Sequence, residues 1–196
     1  MCDNVVADSS FYICYCDDIK KHDFLSDILS LYSFHVGPII KGELPEDLID
    51  SNYFQSSVAV NDASFFELVK PYFGRIDSHK NDGEYEAIGL AYDLNTTSNL
   101  KCLIIDERRA YNFVNSNFPS LKSKLTRNIG FILNCCQTDK TVSVHLVIDI
   151  LESIKECIIE AETNGNQKRP CSFDKKTCEE IIVKLIKQLK DKYVCS

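Results

Sequence analysis

The chain has 196 residues, of which 44% are hydrophobic and 26% charged, and a formal net charge of −7. That length suits one domain with a terminal extension and is cramped for two. The acidic balance argues against a long basic track for nucleic acid, and the longest apolar runs, such as 146–151, are far too short to cross a bilayer.

In chain order, residues 4–7 read as a short buried strand, with Phe11-Tyr12-Ile13 as its extension. A helix is expected over about 18–31, with Phe24, Leu25, Ile28, Leu29 and Leu31 on one side. Phe34-His35-Val36 forms a second strand, and Pro38 opens a further helix. Pro45 sits in the first turn of another short helix, and 52–61 reads as an irregular loop. The stretch 63–72 looks helical and is broken by Pro71 and Gly74, and 78–83 is polar and turn-rich. A helix with a small-residue apolar face runs over 84–94, and 100–105 is the clearest strand. Helical patterns resume at 108–114, 129–136 and about 145–162, with a weak strand near 124–126. Strands alternating with helices predict an α/β fold, three-layered, with a mainly parallel central sheet. The domain should end near residue 163. Residues 164–170 form a polar linker, and 174–192 an amphipathic helix whose stripe is Ile181, Ile182, Leu185, Ile186 and Leu189. Such a stripe must dock, either on its own domain or across a homodimer interface.

The ten cysteines include no Cys-x-x-Cys and lie mostly in apolar segments, so reduced side chains packing as small hydrophobes, with no zinc, are expected. The opening Met1-Cys2-Asp3-Asn4 has no basic or apolar leader character, which points to a cytoplasmic protein. Basic residues cluster at Lys20-Lys21, Arg108-Arg109, Lys122/Lys124/Arg127 and from Lys168 onward, where solvated faces are the ordinary outcome.

Four acids stand out by position. Asp8 closes Val5-Val6-Ala7, and Asp106 closes Cys102-Leu103-Ile104-Ile105. Glu43 follows the segment from Val36 through Gly42, and Glu84 opens a helix. In an open α/β sheet the carboxyl ends of the strands and the helix starts beside them converge on one crevice. Carboxylates gathered there repel one another unless a hard divalent cation sits among them. A carboxylate ending an apolar strand is also costly to desolvate without a partner, which singles out Asp8 and Asp106. Glu84 reads equally as an acid favouring its helix dipole, and Glu43 as a surface acid. Arg108 and Arg109 divide between phosphate contact and neutralisation of the acids. His79 and Lys80 read as a solvated loop pair, and His35 as a core or edge residue.

These segments together resemble the PIN-domain family of metal-dependent ribonucleases over residues 5 to about 155. Val5-Val6-Ala7-Asp8-Ser9-Ser10 resembles the family's opening strand, its first acid and the small hydroxyl that follows. The run from Val36 to Leu44 is similar to the second strand and the helix carrying the second acid. Asp82-Gly83-Glu84-Tyr85-Glu86-Ala87-Ile88 resembles the Gly-Glu-x-Glu-Ala-Ile helix start of one subgroup, and Asp106-Glu107-Arg108-Arg109-Ala110 its paired acids and Arg-x-Ala. The chain departs from that pattern at Arg127-Asn128, where the subgroup has Gly-Thr, at Glu107 in place of Asp, and in everything beyond Asn164.

The resemblance implies Mg²⁺ or Mn²⁺ held by Asp8, Asp106, Glu84 and Glu43, with RNA as substrate. It gives Ser9, Glu86, Glu107 and Asn128 supporting roles, and Arg108 and Arg109 substrate contacts. Toxin members of the family pair with an antitoxin protein, and many members dimerise. Two other classes stay open: a catalytically weak PIN-like assembly module, and a different α/β phosphotransfer or receiver-like domain, for which the expected lysine and hydroxyl are missing.

Overall fold

The computed structural model describes residues 3–73, 82–164 and 170–193. Its first half runs β1 (Asn4–Ala7), α1 (Ser9–Ile13), α2 (His22–Leu31), β2 (Ser33–Val36), α3 (Pro38–Glu43), α4 (Glu46–Ile49), α5 (Asn52–Ser57), β3 (Val58–Val60) and α6 (Phe66–Val69). The second half runs α7 (Asp82–Thr97), β4 (Leu100–Ile104), α8 (Arg108–Asn117), β5 (Leu125–Thr126), α9 (Asn128–Gln137), α10 (Val144–Thr163), α11 (Lys175–Thr177) and α12 (Val183–Tyr193). The strands form one sheet in the order β3-β2-β1-β4-β5, and every pairing is parallel. Helices flank the sheet, as the alternation of elements predicts. Parallel strands with covered faces need continuous apolar runs, and Val5, Val6, Ala7, Leu103 and Ile104 are all buried.

The order of the strands decides where a site can form. From β1 the chain moves outward to β2 and β3, whereas β4 lies on the other side of β1 and leads to β5. The direction therefore reverses between β1 and β4, and their carboxyl ends open a crevice there. Asp8 follows β1 and Asp106 stands two residues beyond β4.

Four elements differ from the sequence expectation. Phe11-Tyr12-Ile13 is helical, because Asp8 caps α1 by accepting from the Phe11 N–H. That helix continues as a π turn over Cys14–Asp18. Lys20 adopts a left-handed φ of 52°, so α2 starts at His22 instead of near residue 18. Leu31, placed on the α2 stripe by its spacing, is 40% exposed. The expected loop at 52–61 holds α5 and β3. β3 is an edge strand with only Val58 buried, so it lacks the alternation that marks a half-buried strand. The turn-rich stretch before α7, including His79 and Lys80, lies outside the described residues.

The cysteine expectation needs one correction. Cys14 and Cys171, separated by 157 positions, form a disulfide. Cys16, Cys102, Cys135, Cys136 and Cys178 are free and buried. The bridge had no signal in spacing because its partners meet only through the fold.

The C-terminal segment docks on its own chain. A π turn over Cys178–Ile182 joins α11 to α12, and the combined helix packs along α10. Ile182, Ile186 and Leu189 are buried, so the stripe is satisfied without a second copy. Ile181, placed on that stripe by its spacing, is 44% exposed. Most of the expected linker lies outside the described residues. Among the described residues, no helix is long and apolar enough to cross a membrane.

Candidate active site

Asp8 is only 1% exposed and Asp106 7%. Asp8 Oδ1 accepts from the Ser10 hydroxyl and from the Phe11 N–H, and Oδ2 accepts from the Asp106 N–H at 3.1 Å. Asp106 Oδ1 in turn accepts from the Asn128 N–H at 3.0 Å. The Asp8 carboxylate is thus tied to the Asp106 loop, and the Asp106 carboxylate to the start of α9, at the crevice between β1 and β4. Burial raises the Asp8 carboxyl above its ordinary range, against the opposing effect of the Ser10 hydroxyl and the backbone donors. Asp106 is pushed up to about 7, first by burial and then by the charge of Asp8.

Glu84 joins this pair electrostatically. Its carboxyl is raised to about 7 by burial first, and then by the charges of Asp8, Glu43 and Glu107. Glu43 is solvent-exposed at the end of α3. A Cβ added at Gly83 would lie 2.3 Å from Glu43 Oε2, so the absence of a side chain at Gly83 lets that carboxylate reach the start of α7. Glu43 therefore belongs to the field around Glu84 more than to the buried pair.

A cleft of ≈ 720 Å³ opens at this place, within the size range of ligand sites. Ser10, Glu84, Asp106, Glu107, Arg108 and Arg127 line one side. Ser172, Phe173, Asp174, Thr177 and Ile181, all from the C-terminal segment, line the other.

The expected supporting residues take different parts. Ser10, not Ser9, supplies the hydroxyl to Asp8. Glu107 caps α8 by accepting from the Ala110 N–H at 2.7 Å while lining the cleft. Glu86 is fully buried between α7 and α3, where Oε2 accepts from the Ile40 N–H at 2.8 Å and Oε1 has no partner. It fills the space left by Gly37, whose Cβ would fall on its carboxylate. Glu86 is thus a packing residue that fixes α3. Asn128 holds Asp106 through its N–H, its Oδ1 accepts from the Tyr15 hydroxyl, and its Nδ2 is unpaired. Arg108 lines the cleft, whereas Arg109 is exposed and is not among its lining residues. His35 is part-buried, within hydrogen-bond distance of Asn4 at 3.1 Å, and its pKa is lowered by burial.

Two contributors were not singled out from sequence. Arg127 donates from Nη1 to the Asp106 carbonyl at 2.7 Å, and its guanidinium lies over the Tyr111 ring at 4.7 Å. It stood in the sequence as one member of a basic cluster, with nothing to separate it from Lys122 and Lys124. The second is the C-terminal wall, which no local pattern connects with Asp106.

The oxygen donor set suits a hard cation. Among the described residues, no group of three or more His, Cys, Asp and Glu side chains is placed to hold a metal ion. Mg²⁺ typically keeps several waters and uses only one or two carboxylates with substrate phosphates, so a site for it needs no group of three. No family model matches the chain, and no curated protein or solved structure matches it either.

Proposed function

We propose that the chain is a Mg²⁺- or Mn²⁺-dependent nuclease acting on RNA, of the PIN type that its sequence resembles. The observation that carries this reading is the pair of buried carboxylates, Asp8 and Asp106, the first bonded to the backbone N–H of the second, at the point where the strand order reverses. Burial makes it costly to ionise both at neutral pH, and a divalent cation offsets that cost.

Asp8 and Asp106 would hold the cation, and Glu84 would complete the site from the cleft wall. The bound ion lowers the pKa of water and offsets charge on the phosphoryl oxygens. The Ser10 hydroxyl and the N–H groups of Phe11 and Asp106 hold Asp8 in place, and the Asn128 N–H does the same for Asp106. Glu84, on the cleft wall beside the pair, would also be placed to receive a proton from the attacking water. Arg108 and Arg127 would meet the phosphate oxygens. Carboxylates outnumber guanidiniums in the cleft, so an anionic substrate enters only with a compensating cation. A short or single-stranded segment suits such a cleft better than a long duplex track. An antitoxin-type protein partner and a cytoplasmic setting belong to the same reading.

The test is cleavage of a labelled single-stranded RNA by the purified chain with Mn²⁺, Mg²⁺ or chelator. Turnover with either ion is expected, none with chelator, and a loss of about 10²-fold or more in Asp106→Asn, comparable to removing one preorganised electrostatic group. Ion-independent turnover, or full activity in Asp106→Asn, would contradict it. A folded protein that binds this RNA without cutting it under any ion would favour the assembly-module reading.

A further inference from the structure

We infer that the segment from Pro170 to Thr177 is a thiol-controlled wall of the acidic cleft, fixed in place by the Cys14–Cys171 bridge. The inference deepens the nuclease reading by naming what governs access, and rests on it only for the identity of the occupant. Cys14 opens the π turn that continues α1, the helix capped by Asp8. The bridge therefore ties the wall directly to the element that carries the first acid. The Cys171 N–H also donates to Asp18 Oδ2 at 2.7 Å, on the same π turn.

Cys171 and Ser172 both adopt left-handed backbone, with φ of 51° and 62°. Consecutive non-glycine residues keep that conformation only where their surroundings impose it. Ser172, Phe173 and Asp174 follow the bridge immediately and line the cleft opposite Asp106 and Arg108. Downstream, Cys178 and Ile182 are buried, and their π turn packs on α10. The wall is thus anchored at both ends, and only the upstream anchor is redox-sensitive. Disulfides inside cells are usually transient or redox-sensing, which suits a switch better than a permanent staple.

A dithiol opens the bridge by thiolate attack on one sulfur, which releases the other cysteine as a thiol. The reductant's second thiol then displaces the mixed disulfide. Two electrons and two protons pass to Cys14 and Cys171, and the dithiol leaves as its own disulfide. Both sulfurs belong to buried residues, so a local opening precedes attack.

Peptide mapping and amide exchange of the full chain, oxidised and dithiol-reduced, test the inference without needing turnover. The bridged Cys14–Cys171 peptide is expected in the oxidised protein. Reduction should abolish protection at the Cys171, Phe173 and Thr177 amides, bonded to Asp18, Pro170 and Asp174 respectively, and leave Ile186 and Leu189 protected. Asp106, only 7% exposed with the wall in place, should then react faster with a water-soluble carbodiimide, and Cys171→Ser should behave like the reduced chain under both conditions. Absence of the bridged peptide, unchanged protection on reduction, or a loosened segment with unchanged Asp106 reactivity would each overturn it. RNA cleavage that fails while these shifts appear would refute the nuclease reading and leave the wall standing.

Discussion

Carboxylates serve two different purposes on neighbouring parts of this molecule. At the β1/β4 switch point, Asp8 accepts from the Asp106 N–H and Asp106 from the Asn128 N–H, and both are raised in pKa by burial. At the α3/α7 contact, Glu86 is buried as deeply, but it fills the notch at Gly37 and ties down the start of α3. Burial alone therefore does not mark a functional acid. What separates the two regions is location: Asp106 lines a cleft at a strand-order reversal with Asp8 bonded behind it, and the other acid is sealed between helices.

Removing an acid should separate these roles. Glu86→Leu leaves the buried Ile40 N–H unpaired, and should cost about 1–3 kcal/mol in denaturant unfolding. Equal stability in the variant would mean that Glu86 does not hold α3. Asp8→Asn should instead abolish cleavage while losing less stability than Glu86→Leu, because relief of repulsion at the pair offsets the amide NH2 set against a backbone N–H.

The pH response sharpens the contrast. Asp106 and Glu84 are raised to about 7 from ordinary values of 3.8 and 4.5. A carboxyl raised in the folded state stabilises the fold fully below its unfolded value, and that contribution is lost as pH climbs through the folded value. The cation-free protein should therefore lose Tm between about pH 5 and pH 8, and Mn²⁺ should restore it at pH 8 with little effect at pH 5. A cation-free Tm that rises over this range would contradict the assignment. The smallest effect is expected for Glu43→Gln. Glu43 is exposed and acts on Glu84 only through its charge, so the acid limb of the pH–rate profile should move slightly downward, with stability unchanged.

Asp8 and Asp106 were legible because each follows an uninterrupted apolar run, and such runs in an alternating α/β pattern end at the crevice. The same logic misread Phe11-Tyr12-Ile13. An apolar triplet has no period of its own, and the deciding signal was the Asp-Ser-Ser before it, which caps a helix. β3 was hidden because an edge strand exposes most of its side chains. Arg127 and the C-terminal wall were illegible for a different reason. Their part in the cleft depends on β5 lying beside β4 and on the tail returning to α1, and no local pattern encodes either.

The most direct test of the central claim is titration of Mn²⁺ into the purified protein near pH 7.5, followed by calorimetry or by loss of the free-ion electron paramagnetic resonance signal. The account predicts saturable binding in the wild-type chain and loss of that binding in both Asp8→Asn and Asp106→Asn, with Glu86→Gln binding as the wild type does. Binding that survives in both aspartate variants, or that disappears with Glu86→Gln alone, would place the cation elsewhere and contradict the account.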